Sequence, residues 1–117
     1  MDSNPLRDKS KAFALKCICL CRELADMRKE YIMSKQLFRS ATSIGANIRE
    51  GLYAQSKADF ISKLSISLKE AAEAQYWLEL LFESNYMDSQ EFDCYNEDCE
   101  ELLRLLTSIL KTSRSSI

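Results

Sequence analysis

The chain has 117 residues, 46% hydrophobic and 29% charged, which suits one globular domain and excludes a disordered or fibrous polymer. Two Gly and one Pro are too few for the turns of a sheet protein and favour a few long helices. The net charge of −2 hides an asymmetry: residues 1–69 carry thirteen Lys/Arg against seven Asp/Glu (+6), and residues 70–117 carry three against eleven (−8).

The first eleven residues are polar and lack the apolar core of a secretory leader. No run approaches the ~18 apolar residues of a membrane span. Five cysteines, an odd number without a disulfide-scaffold layout, read as reduced thiols and point to the cytoplasm.

Helix one is expected over about residues 6–30. Phe13, Cys17, Leu20, Leu24, Met27 and Tyr31 recur at alternating spacings of four and three, a heptad seam. Helix two is expected over about 34–53, with Ser34 as N-cap, a seam of Leu37, Ala41, Ile44 and Ile48, and Gly51 to end it. Helix three is expected over about 56–84. It opens on Ser56-Lys57-Ala58-Asp59, close to a capping box, and follows Phe60, Leu64, Ser67, Ala71, Ala74, Leu78 and Leu81 to a break near Asn85. Helix four, over about 89–113, is capped from Asp88 and Ser89 and carries Phe92, Tyr95, Cys99, Leu102, Leu106 and Ile109. Thr112–Ile117 reads as a frayed tail. Every connection is short, so the fold class expected is all-α, an antiparallel up-down-up-down four-helix bundle forming one domain over 1–117. Two long hairpins are the alternative.

Some residues are left over once the core is filled. At about 100° per residue, Ile66, Glu70, Glu73, Trp77 and Leu80 fall roughly opposite the helix-three seam. Apolar residues there suit an interface with another subunit; otherwise Trp77 is a boundary residue lying on its own bundle. On helix two, Arg39, Ser43, Asn47 and Glu50 line up opposite the core. The small Ala41, Gly45 and Ala46 would permit close helix approach. This stripe is either solvated or a hydrogen-bonded seam against another subunit.

The topology gathers Arg7, Lys9, Lys11, Arg49, Lys57, Lys111 and Arg114 at one pole, opposed only by Asp2, Asp8, Glu50 and Asp59. Six of these cations, Lys9, Lys11, Arg49, Lys57, Lys111 and Arg114, are the candidates for meeting nucleic-acid phosphates. On charge alone, helix capping and solubility explain them as well.

There is no His, which removes the commonest general base, the Ser-His and Cys-His pairs and the usual catalytic zinc sets. Two isolated glycines make no phosphate loop. Glu70 and Glu73 are paired carboxylates with no motif around them. Cys17, Cys19 and Cys21 form a Cys-x-Cys-x-Cys run, with Cys94 and Cys99 far along the chain; the spacing is no known zinc pattern, and Cys17 and Cys99 fit core seams. No catalytic residue, metal site, cofactor or small-molecule substrate is assigned.

The segment Ser40-Ala41-Thr42-Ser43-Ile44-Gly45-Ala46-Asn47-Ile48-Arg49-Glu50-Gly51 resembles the hallmark of the bacterial 23S rRNA-intervening sequence (S23-like) proteins. Ser56-Lys57-Ala58-Asp59-Phe60-Ile61, Leu68 to Ala74 and Tyr76-Trp77-Leu78-Glu79-Leu80-Leu81 are similar to that family's third helix. The resemblance covers roughly residues 6–112. It implies an up-down-up-down bundle, rings of five and no enzymatic activity. It also implies kinship with the accessory variability protein of diversity-generating retroelements, a basic pentameric barrel that partners a reverse transcriptase and nucleic acid. The matching motif residues, Ser43, Gly45, Asn47, Glu50, Gly51, Glu73 and Trp77, coincide with the leftover faces. That agreement assigns Arg39, Ser43, Gly45, Asn47, Glu50, Ile66, Glu70, Glu73, Trp77 and Leu80 to an oligomer interface. The acidic balance, with Glu97, Asp98, Glu100 and Glu101 on helix four, departs from a basic retroelement subunit.

The function expected is therefore a non-enzymatic, self-assembling scaffold or binding subunit, a homopentamer by the resemblance, with RNA or an RNA-binding protein as its partner and no membrane. The alternatives are a subunit binding nucleic acid directly through the basic pole and a Cys-dependent metal or redox protein.

Overall fold

The computed structural model describes residues 3–115. Asp2, counted above among the charges of the basic pole, and the tail residues Ser116 and Ile117 lie outside them. Four helices follow in order: α1 (Pro5–Arg28), α2 (Met33–Leu52), α3 (Lys57–Glu83) and α4 (Ser89–Ser115). No helix of the described residues is long and apolar enough to cross a membrane.

Each helix starts where a side chain captures amide groups that have no partner inside the helix. For α1 the Asn4 side chain accepts from the Arg7 N–H at 3.0 Å, with Pro5 in the first turn. The helix ends at Lys29, which adopts a left-handed φ of 56°. Ser34 does not cap α2. The helix begins one residue earlier, and the buried Glu30 carboxylate does the capping, accepting from the N–H groups of Ile32, Met33 and Ser34 at 3.1, 3.0 and 2.7 Å. The Ser34 hydroxyl instead donates back to the Glu30 carbonyl at 2.8 Å. Ser56 caps α3 by accepting from the Asp59 N–H at 3.1 Å, while Asp59 reaches the Gln55 N–H at 3.2 Å. Asp88 accepts from the Glu91 N–H at 2.8 Å at the head of α4. That helix continues to Ser115, so Thr112–Ser115 is helical rather than frayed.

Cross-helix pairs establish the topology. Cys21 meets Ser34 and Ser10 faces Gly45; Glu50 meets Lys63 and Arg39 meets Glu70; Gln75 meets Asn96 and Ser65 meets Arg114; Lys16 meets Asp98 and Lys9 meets Glu101. In every case one number rises as the other falls, so all four neighbouring pairs are antiparallel. Diagonal pairs do not come together. The result is an up-down-up-down four-helix bundle, 47 × 27 × 20 Å. The α2–α3 side is the closest and the α1–α4 side the most open.

The α2–α3 closeness follows from small residues. Ala41, Ser67, Ala71 and Ala74 are fully buried, and the Ser67 hydroxyl donates to the Ile44 carbonyl across the pair at 2.8 Å. Gly51 belongs to this contact and does not terminate α2: it has no positive φ, and a Cβ there would lie 2.6 Å from Leu64 Cδ1. The seam of α1 stops at Leu24. Met27, in the last turn, and Tyr31, beyond the helix end at Arg28, are 76% and 58% exposed. On α4 the core extends to Leu110, one step beyond the heptad pattern. Among the described residues no buried side-chain nitrogen or oxygen lacks a partner.

Candidate functional site

The outer side of the α2–α3 pair carries most of the expected interface residues, and four of them form one connected network. Arg39 on α2 reaches across to two carboxylates one turn apart on α3, bonding Glu70 at 3.3 Å and also Glu73. The Trp77 indole N–H donates to Glu73 at 3.0 Å. The Trp77 indole, aided by Arg39 and opposed by partial burial, holds the Glu73 carboxyl below the usual glutamate range. Glu73 and Glu70 in turn raise the Arg39 guanidinium. The i, i+3 spacing of Glu70 and Glu73 puts both on one helix face, where a forked guanidinium can bridge them.

The rest of the helix-two stripe binds locally. The Ser43 hydroxyl donates to the Arg39 carbonyl at 2.7 Å, and the Asn47 amide donates to the Ser43 carbonyl at 2.8 Å. Glu50 pairs with Lys63 of α3 at 3.0 Å. These polar groups thus bond within the chain. Gly45 lies elsewhere, facing Ser10 of α1.

The apolar members frame the network. Ile66 is 39% exposed. Trp77 is half-buried and packs partly on its own core. Leu80 is also half-buried. Tyr76, which lies off the seam spacing, stacks edge-on against Trp77 with centroids 5.2 Å apart and is 53% exposed. An aromatic beside Trp77 was the signal for it.

The basic pole divides among four places. Lys9 pairs with Glu101 at 3.0 Å, an acid missing from the opposing set because the register of α4 against α1 brings it level with Lys9. Lys11 and Arg49 line a hollow of about 250 Å³ between α1 and α2. Lys111 and Arg114 line another of about 470 Å³ with Leu68 of α3, and Arg114 donates to the Ser65 hydroxyl at 2.9 Å. Lys57 is exposed in the first turn of α3.

The cysteines divide between core and surface. Cys17, Cys21 and Cys99 are buried, while Cys19 and Cys94 are exposed. Cys94 accepts a bond from Lys16 at 3.3 Å, and Lys16 also pairs with Asp98 at 2.5 Å. Among the described residues, no three or more of His, Cys, Asp and Glu are grouped to hold a metal ion.

The sequence pattern of the 23S rRNA-intervening sequence protein family matches residues 3–108. The chain belongs to that family. A crystal structure from Bacteroides thetaiotaomicron VPI-5482, of a protein with unknown function from the S23 ribosomal protein family, is 51% identical. It covers 91% of this chain and 98% of its own, at a TM-score of 0.90. No curated protein matches the chain. The Ser40–Gly51 segment that resembles the family's hallmark lies along α2, and Glu73 and Trp77 lie on α3, so these residues and the network occupy the same pair of helices.

Proposed function

We propose that this 23S rRNA-intervening sequence family protein is a non-enzymatic scaffold that assembles through its α2–α3 face, five copies closing a ring, in an RNA–protein context. The observation that carries the reading is the Trp77–Glu73–Arg39–Glu70 network with Tyr76 and Ile66 exposed beside it. An aromatic anchor whose polar edge is already bonded, ringed by exposed apolar surface, is what an interface centre requires. Prearranged charges also lower the ordering cost of association. A head-to-tail ring joins unlike surfaces, which suits a chain with a basic front half and an acidic back half. The absence of His supports a non-catalytic role.

Light scattering on the size-exclusion peak tests this. The wild type is expected at five times the chain mass of 13.5 kDa. Trp77→Asp and Ile66→Glu are each expected to dissociate it while the helical circular dichroism stays. Ile66 touches little of the core, so its variant separates lost assembly from lost folding. A monomeric wild type, or an Ile66→Glu protein still assembled, would overturn the reading.

A further inference from the structure

The outer groove between α1 and α2 has a different character. Its lower part is the 250 Å³ hollow, where Arg7, Lys11 and Arg49 surround a floor that includes Ser10, Gly45 and Ala46. Among the described residues no carboxylate lines it, although Arg7 pairs with the adjacent Asp8 outside it. Its upper part is a second hollow of about 320 Å³, lined by Arg22, Lys35 and the rings of Tyr31 and Phe38, with Asp26 the one acid among the described residues. Lys11 and Arg22 are eleven residues apart, three helical turns, and so share one side of α1 about 16 Å apart along its axis. Tyr31 is 58% and Phe38 42% exposed, which is a cost in water that a partner would relieve.

We propose that this groove binds single-stranded nucleic acid, phosphates in the lower hollow and along the cations, and bases against Phe38 and Tyr31. A track about 16 Å long spans about five phosphates of a stacked strand at ~3.4 Å each. A basic groove interleaved with exposed rings is the arrangement that holds single strands without reading sequence. The main alternative occupant is an acidic polypeptide, a second copy of this chain included. The lower hollow disfavours it: the floor of small and hydroxyl-bearing residues has room for a compact oxyanion, and cations from both helices surround it. Several acids of α4 are also engaged, Asp98 with Lys16, Glu101 with Lys9 and Glu100 with Gln75. The site uses Lys11 and Arg49 but not the α2–α3 face, so it stands apart from the assembly reading.

The test is fluorescence anisotropy of a labelled single-stranded RNA, about twelve nucleotides long, with the full chain in its native assembly. With Lys11, Arg22, Lys35 and Arg49 each neutralising one phosphate, affinity is expected to fall about fifty-fold between ~50 and ~200 mM salt. Lys11→Gln with Arg49→Gln is expected to weaken binding at least about tenfold at low salt and to halve the salt slope. Lys69→Gln with Arg104→Gln, the same charge loss on α3 and α4, is expected to change it less than about twofold. Phe38→Ser is expected to weaken binding to RNA but not to polyglutamate, which has no base to stack. The proposal is overturned if RNA does not bind at low salt or if the two double variants lose equally. Polyglutamate binding as tightly as RNA, with Phe38→Ser indifferent to both, would overturn it in favour of an acidic protein partner.

Discussion

Glu30 shows how much one side chain can hold. It sits in the α1–α2 turn, and its two oxygens take up three amide donors at the start of α2, a helix whose own N-cap residue, Ile32, has no side-chain acceptor. Burial alone would push its carboxyl up; the amide bonds outweigh that and hold it below the ordinary glutamate value. A carboxyl with a lowered folded pKa contributes stability above its unfolded value, near ~4.3, and the contribution is lost as pH falls through the lowered folded value. Glu30→Gln is therefore expected to lose about 1–2 kcal/mol at neutral pH. Urea titrations should show the gap between variant and wild type closing below pH ~4. A gap that persists undiminished in acid would mean that the charge contributes nothing.

At the scale of the element, the two glycines of α2 separate packing from backbone freedom. Neither has a positive φ, so neither is present for its conformation. Gly51 lies against Leu64, itself almost fully buried, and an added Cβ would meet Leu64 Cδ1 at 2.6 Å. Gly51→Ala must push the α2–α3 pair apart or displace that core side chain, and is expected to destabilise by about 1–3 kcal/mol. At Gly45 the nearest atom would be Ser10 Oγ at 3.4 Å. Gly45→Ala is expected to be neutral or to stabilise by about 0.5–1 kcal/mol through helix propensity. Thermal melts of the two variants would compare them directly, and equal effects would contradict the packing assignment.

Across the whole molecule, the cysteines report on the bundle. Cys17, Cys21 and Cys99 are buried. Burial pushes all three thiols up, Cys21 and Cys99 to about 12, so their reactive thiolates are scarce in the native state. Cys19 and Cys94 are exposed on α1 and α4. Alkylation at neutral pH should modify these two quickly, and the other three only as the bundle opens or in denaturant. Mass spectrometry would count them. Rapid native labelling of Cys17 or Cys99 would show a bundle much looser than this one.

The helices and the core were legible because they depend on local periodicity. Leu37, Ala41, Ile44 and Ile48 are all fully buried as their spacing required, and a hydrophobic stripe at 3.6 residues per turn can be read without knowing its partner. Tyr31 misled for the same reason, because the pattern continues past Arg28, where the helix does not; Met27 keeps the spacing in the last turn of α1 yet is exposed. The family motif was legible too, though it names no chemistry. Other features depended on the register between helices. Glu30 replaces Ser34 as the cap because the turn folds back on itself. Glu101 removes Lys9 from the basic pole, and Arg39 bridges Glu70 and Glu73, because antiparallel packing sets residues 31 to 92 positions apart in sequence at the same height. Such pairings are set by small differences in helix phase and length that accumulate over several turns. Spacing within one helix shows which face a side chain occupies, and only the packed bundle decides what it meets there.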